Sequence, residues 1–316
     1  MKLHQLQALI AVADHGGIRS AARALDLSQA AITRALRELE EEQRLPLLAR
    51  HAGGARLTAA GLALLPHARQ IASQLEKAQR DLASLRGEPP TRLCVGVTPW
   101  FGQTLLGAAL KAFREEMPMV QLELYEGLQA VSLALLRTGQ MQFALGPASG
   151  LPGQEFSHQV LAHYPMRVLA RTGHPLQAAH SLGQLLEQDW VMNFTQAGQH
   201  ALMHQLFGRH GLSIEPGRIV CAQSSAMLSS LIVDAGLLGY SPEPMLLCEP
   251  LRSNAKALVL NEPLEEGDIS VIHLRDQALD PAARCLVRCL EQALKACSRS
   301  RHANDRQLAD MLRLSF

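Results

Sequence analysis

The run Gly17-Ile18-Arg19-Ser20-Ala21-Ala22-Arg23-Ala24-Leu25-Asp26-Leu27-Ser28-Gln29-Ala30-Ala31-Ile32-Thr33-Arg34-Ala35-Leu36-Arg37-Glu38-Leu39-Glu40 holds two helical periods separated by a tight connection. Ile18, Ala21, Ala22 and Leu25 recur at helical spacing, and the small alanines let a second helix cross close by. Asp26-Leu27 forms the connection. Ser28 follows, with a hydroxyl suited to accept an unpaired amide at the start of the next helix. On that helix Ile32, Leu36 and Leu39 make the inward stripe. Gln29, Thr33 and Arg37 lie one turn apart on the other side, with Arg34 beside them.

A helix-turn-helix with such an outward face has the form of a recognition helix, whose N-terminal half enters the major groove. Gln suits adenine, Arg suits guanine and a Thr methyl suits thymine, so Gln29, Thr33 and Arg34 are expected at base edges. Ser28 and Ala30 share the end that enters the groove. Arg37 and Arg19 are expected on phosphates, which set register rather than sequence. Downstream, Arg50-His51-Ala52-Gly53-Gly54-Ala55-Arg56 reads as a glycine-tipped turn between short strands, with an arginine at each end. Such a wing can straddle backbone or minor groove. The competing reading is a mere packing unit with a solvated arginine face. Residues 1–60 hold eight Lys/Arg and six Asp/Glu, a balance that decides little. Position decides more, because Glu38, Glu40, Glu41 and Glu42 cluster at the far end of the helix and leave its beginning positive.

Beyond the wing, Leu64, Ala68, Ile71, Leu75, Ala78, Leu82 and Leu85 are spaced 4-3-4-3-4-3. An unbroken heptad seam on a long helix calls for a partner, and a homodimer is expected; the competing reading packs it on the chain's own lobe. Pro66 is expected to kink this helix near its start. Gly87-Glu88-Pro89-Pro90 then stops it. From Thr91 apolar strands alternate with helices: Leu93–Val97, Val120–Tyr125 and Phe143–Leu145, then strands at Val168, Val191, Ile219-Val220 and Leu237–Tyr240. Ile269–His273 is a late strand before a long helix at about 281–297. Alternation of this kind argues for parallel sheets with crossover helices. The late return places the chain back in its first lobe.

The N-terminal run Ser20-Ala21-Ala22, Leu25, Ser28-Gln29, Leu36, Leu39-Glu40, Pro46-Leu47-Leu48, Arg50, Leu57-Thr58 and Ala60-Gly61 resembles the signature of LysR-type transcriptional regulators. The downstream plan is similar too. Ala30 stands where that family often has proline, Arg44 near a common glycine, and Leu48 where phenylalanine is usual; none removes a donor that DNA binding needs. The fold class implied is α plus α/β: a winged helix-turn-helix, a long linker helix, and a two-lobe effector domain like the periplasmic binding proteins. The expected divisions are 1–57 for DNA binding, 58–90 for linker and hinge, 91–297 for the effector domain, and a tail at 298–316. Lobe one takes about 91–163 and 266–297, lobe two about 164–265. The tail reads as solvated, or as a short amphipathic helix carrying Leu308, Met311 and Leu312.

Ligands of such sheets sit at the carboxyl ends of strands. The expected effector residues are therefore Thr98, Pro99, Trp100 and Phe101 after the first strand, and Leu128 and Gln129 after the second. Asn193, Phe194 and Thr195 follow in lobe two, then Gln223 and Ser224. Thr98 offers a hydroxyl, and Trp100 with Phe101 can wall the site. Each polar residue has an alternative role as a helix cap. No arginine stands in these loops, so a strongly anionic effector held by charge alone is disfavoured. Small organic acids or aromatic compounds are the expected class.

The resemblance implies double-stranded promoter DNA and a small-molecule effector as partners, RNA polymerase as a further one, and a tetramer of the seam dimer. The whole chain of 316 residues carries a net charge of only +1, so DNA affinity must come from a local patch. No apolar run approaches the roughly 18 residues of a membrane span, and a cytoplasmic location is expected. No cofactor or catalytic motif is present: there is no G-x-S-x-G, no P-loop and no G-x-G-x-x-G, and His200 with His204 lack the glutamate of a zinc-protease motif. Two rival readings stay open. One is a regulator that senses oxidation through Cys221 and Cys248; the other is a two-lobe solute-binding or enzymatic protein with a structural helical appendage.

Overall fold

The computed structural model describes residues 1–51, 54–87, 92–126, 129–194 and 198–316, with the backbone alone at 50, 51, 54, 77, 80, 81, 84, 85 and 130. It divides into two units, Met1–Pro89 with Arg137–Gln140, and Pro90–Leu136 with Met141–Phe316.

The first unit opens with α1 (Leu3–His15), α2 (Ile18–Ala24) and α3 (Gln29–Gln43). Leu6, Leu9 and Val12 of α1 meet Ala21 and Ala22 of α2 and Ile32, Leu36 and Leu39 of α3 in one buried cluster. Ser28 caps α3 as its sequence position predicts, its hydroxyl accepting from Ala31 N at 3.1 Å. Leu25 departs from its expected inward place. Helix α2 ends at Ala24, Leu25 becomes the C-cap, and its side chain is exposed. Asp26 turns the chain at φ 53°. Strands β1 (Leu48–His51) and β2 (Gly54–Leu57) then form an antiparallel hairpin that pairs Arg50 with Ala55 and Ala49 with Arg56.

Helix α4 (Ala59–Leu85) runs through Pro66 as one helix. Its heptad seam is divided. Ala68 is fully buried and Leu64 half-buried against the helix-turn-helix core, whereas Ile71, Leu75 and Leu82 are 43%, 40% and 55% exposed. Arg69 of α4 is ion-paired to Asp14 at the end of α1. The first turns of α4 thus belong to the unit's own core, and the exposed apolar stripe begins at Ile71.

The second unit starts with β3 (Arg92–Val97), α5 (Pro99–Thr104), α6 (Leu106–Glu116), β4 (Gln121–Glu126), α7 (Gln129–Arg137) and β5 (Phe143–Gly146). Strand β6 (Phe156–Arg171) carries the chain onward to β7 (Trp190–Met192), α8 (Gln199–Leu206), β8 (Ile219–Cys221), α9 (Ser225–Val233) and β9 (Leu238–Pro242). Then come α10 (Leu251–Asn254), β10 (Ala255–Ala257), β11 (Glu266–Leu274), α11 (Pro281–Cys297), α12 (Ala303–Met311) and β12 (Arg313–Leu314). The ladder runs β4-β3-β5-β11-β6-β9-β7-β8, with β10 and β12 also on β6.

Strands β3, β4 and β5 are mutually parallel, as are β7, β8 and β9, the pattern expected from βαβ alternation. The joining strands are different. Strand β11 is antiparallel to both β5 and β6, and β6 is antiparallel to β9. Sixteen residues long, β6 passes without a break through the point where periodicity places a lobe boundary. Its first half, Phe156–Pro165, alternates too irregularly between apolar and polar residues to stand out as a strand. The C-terminal segment is not a solvated tail. Leu308 of α12 is 1% exposed in the main core, β12 pairs with β6 opposite Ala162 and His163, and Arg313 pairs with Glu266 of β11 at 2.6 Å.

Candidate nucleic-acid interface and effector site

Helix α3 hides Ile32, Ala35, Leu36 and Leu39 and turns Gln29, Ala30, Arg34 and Arg37 outward, with Thr33 half-buried. The outward groups are not all idle. Thr33 donates its hydroxyl proton to Gln29 O at 2.8 Å, which leaves the methyl and the oxygen lone pairs for a partner. Arg34 Nε donates to Glu38 at 2.8 Å and Arg37 Nε to Glu41 at 2.9 Å, both i,i+4 pairs with arginine side chains 83% and 78% exposed. Arg34 holds the Glu38 carboxyl below its usual range. Exposed pairs of this kind are worth little, and both guanidiniums can exchange a carboxylate for a base or phosphate. Arg19 and Arg56 are exposed. The side chain of Arg50 lies outside the described residues.

The acidic end of α3 differs from a plain negative patch. Glu40 Oε1 accepts from Leu47 N at 2.7 Å and Leu48 N at 2.9 Å, tying the start of the wing to the recognition helix. Glu42 is paired with the N-terminal ammonium of Met1. Ile18, Thr33, Leu36, Arg37, Glu40, Leu48 and Ala55 line a groove between helix and hairpin. Arg44, at the C-cap of α3, sits in the left-handed region at φ 52°, the conformation that favours glycine.

In the second unit the carboxyl-end loops of the strands hold the sequence-predicted effector residues, in varied roles. Thr98 follows β3; its side chain makes no cap bond to α5, although its position is the N-cap, and it is half-buried with Pro99. Trp100 and Phe101 do not wall an open surface as expected. Both are fully buried, with ring centroids 5.5 Å apart and Trp100 edge-on to Tyr164 at 5.4 Å. Gln129 donates from Nε2 to Pro147 O at 2.8 Å and so pins the loop after β5. Asn193 donates to Ala222 O at 2.9 Å, and Gln223 donates to Phe194 O at 3.1 Å. Ser224 caps α9, accepting from Met227 N at 3.2 Å. The loops after β7 and β8 therefore converge, and their amides bind each other's backbone. Leu128 and Thr195 lie outside the described residues.

Further groups that the sequence reading passed over complete this region. Ser225, the first residue of α9, donates to Glu126 at the end of β4, a link from one lobe to the other. Asp268 of β11 accepts from Ala148 N at 2.8 Å and Ser270 Oγ at 2.6 Å. Glu126 closes its strand next to Gly127, and Ser225 follows the polar Gln223-Ser224, so both carried the signal of a strand end. Asp268 gave none, because it sits within a strand. The Tyr164 hydroxyl is pushed well above the usual tyrosine range by burial and then by Asp268.

All six cysteines are free thiols. Cys221 is exposed, while Cys248 is buried and its thiol is pushed up to about 11 by burial, with Glu126 adding to the effect. A thiol so poorly ionised is a weak nucleophile, which counts against a Cys221/Cys248 oxidation sensor. Among the described residues, no helix is long and apolar enough to cross a membrane.

Against known proteins, residues 3–62 match the model of bacterial regulatory helix-turn-helix proteins of the lysR family, and residues 86–295 match the LysR substrate binding domain. The transcriptional regulator TdcA of Escherichia coli K12 is 25% identical over 274 residues, 86% of each chain. In fold, the chain resembles the LysR family regulator CbnR with a TM-score of 0.65 at 20% identity, covering 93% of this chain and 99% of that one. A structure of full-length CbnR complexed with target DNA is similar at a TM-score of 0.64 and 21% identity, covering 93% of this chain and 100% of the other.

Proposed function

Because the chain belongs to the LysR family of bacterial helix-turn-helix regulators, we propose a division of labour among the residues described above. The family is one of DNA-binding transcriptional regulators with an effector-binding domain, not of enzymes. Gln29, Thr33 and Arg34 meet base edges, with Ser28 and Ala30 at the tip of the helix. Arg19 and Arg37 meet phosphates, and the wing arginines Arg50 and Arg56 meet the backbone or the minor groove. The observation that carries this reading is the outward row on α3, whose highly exposed arginines pair with Glu38 and Glu41 one turn along the same helix. Arg34→Ala is expected to cost about 1–3 kcal/mol on the specific site and much less on random duplex, measured by fluorescence anisotropy at fixed salt. Equal weakening on both would make Arg34 a phosphate contact and overturn its base-reading role.

The effector occupies the region bounded by the loops after β3, β4, β7 and β8, and its binding shifts the balance between lobe arrangements. Thr98 is the contact best supported there, since its side chain makes no cap bond. The carboxylates of Glu126 and Asp268 repel a second anion, which favours an aromatic effector over an organic acid. Thr98→Val is expected to blunt the effector-induced change in promoter binding while leaving basal binding intact. A normal response would move the pocket elsewhere. The exposed stripe from Ile71 supports a homodimer through α4, from which a tetramer is assembled. RNA polymerase is the further partner, and the site of action is the cytoplasm, where the promoter is. The working division is 1–57, 58–90, 91–297 and 298–316.

A further inference from the structure

Away from the regions described so far, α6 and α11 bring two thiols and a carboxylate together. Cys285 and Cys289 are one turn apart on α11, at 2% and 1% exposure. Glu116, the last residue of α6, meets them from the neighbouring helix: the Cys285 thiol donates to its Oε2 at 3.6 Å. One ligand atom from each of the three residues lies within 4.8 Å of the other two. On the outer side Arg288 is ion-paired to Glu116, with Nη2 3.5 Å from Cys285 Sγ.

A tetrahedral ion with sulfur ligands at about 2.3 Å sets those sulfurs about 3.8 Å apart, so the side chains need to converge by at most about 1 Å. Rotation about χ1 supplies that without moving a helix. Two thiolates with one carboxylate form a soft donor set, selective for zinc-group cations over magnesium or calcium, which take oxygen. Charge also closes. Before binding, two neutral thiols, a carboxylate and a guanidinium sum to zero. A dication that displaces both thiol protons to solvent gives two thiolates, a carboxylate, the metal and the guanidinium, which again sum to zero. No net charge is added beneath the protein surface, which is the usual obstacle to a buried site.

We infer that Cys285, Cys289 and Glu116 form a binding site for a thiophilic divalent cation of the zinc group, with Arg288 as its charge-balancing lid and solvent in the fourth position. The ion cross-links α6 to α11. These helices pack on one another within the main core, so binding stiffens that part of the second unit without touching the effector loops.

The test uses the full-length protein carrying Cys221→Ser, which removes the exposed thiol, titrated with Cd2+. The ultraviolet sulfur-to-cadmium charge-transfer band and the thermal unfolding midpoint are both followed. Saturation at one ion per chain is expected, with a band of two-thiolate intensity and a raised midpoint. Cys285→Ser or Cys289→Ser should halve the band and abolish the rise. Since these two positions are buried, Glu116→Gln, an exposed change that leaves the core intact, serves as the second variant and should weaken Cd2+ binding by about tenfold or more. The inference is overturned by a missing band, by a band that survives the double cysteine variant, or by Glu116→Gln binding as the parent does.

Discussion

Replacing Glu40 with alanine removes the one carboxylate oxygen that accepts from both Leu47 N and Leu48 N, at 2.7 and 2.9 Å. Hydrogen bonds to a charged group contribute about 1.5–3 kcal/mol each. Here one half-buried oxygen serves two donors, so the lower end applies and the loss should be about 2–4 kcal/mol. Leu47 is 2% exposed in the core of the first unit, so its amide loses its partner at a largely buried position. Glu40→Gln keeps a neutral acceptor and should lose about half as much, since charge roughly doubles the strength of such bonds. Two measurements check this. Hydrogen exchange over residues 44–51 should accelerate sharply in Glu40→Ala and less in Glu40→Gln, and the midpoint of the first thermal transition should fall on the order of 10 °C or more for alanine. Specific DNA affinity should fall as well, because the start of the wing is then no longer set against α3. Unchanged amide protection in Glu40→Ala would refute the reasoning, whatever happened to DNA binding.

Arg44 holds a left-handed backbone at the end of α3, at φ 52°. A non-glycine residue there costs about 1–2 kcal/mol, partly offset by glycine's greater unfolded-state entropy, so Arg44→Gly should stabilise the first unit by up to about 1 kcal/mol in urea unfolding. A destabilised variant would show that the Arg44 side chain contributes more than its backbone costs. For the exposed stripe of α4, Ile71→Glu with Leu75→Glu should dissociate the dimer. Burying the roughly 40% of each side chain that is exposed contributes about 0.6–1.2 kcal/mol, four copies give about 2–5 kcal/mol, and the dimer dissociation constant should rise about 30-fold or more. Sedimentation velocity that still reports a dimer would assign the interface to another surface.

The sequence was most legible where one period had one interpretation. In α3 a polar residue at Ser28 and apolar residues at Ile32, Leu36 and Leu39 leave a single way to orient the helix, and the cap and core follow. The seam of α4 was legible as a stripe but not as a partition, because periodicity does not say which neighbour covers a residue. Leu64 and Ala68 are covered within their own unit, whereas Ile71, Leu75 and Leu82 are exposed. The same ambiguity ran through the candidate effector residues. A polar residue after a strand can meet a ligand or a backbone carbonyl, and Gln129, Asn193 and Gln223 each reach a carbonyl. Trp100 and Phe101 were misjudged for a related reason: aromatic rings after a strand serve a core as readily as a pocket, and here the strand end lies deep enough that Tyr164 stacks edge-on against Trp100. Glu40 went the other way. A carboxylate in a run of acids looks like solvated charge, but two unpaired amides seven and eight residues later in the chain gave it a structural task that no local pattern records. What a one-dimensional pattern supplies is the identity of a face. Its occupant depends on contacts between residues distant in sequence, which is why the outward direction of Gln29, Arg34 and Arg37 was easier to read than what they meet.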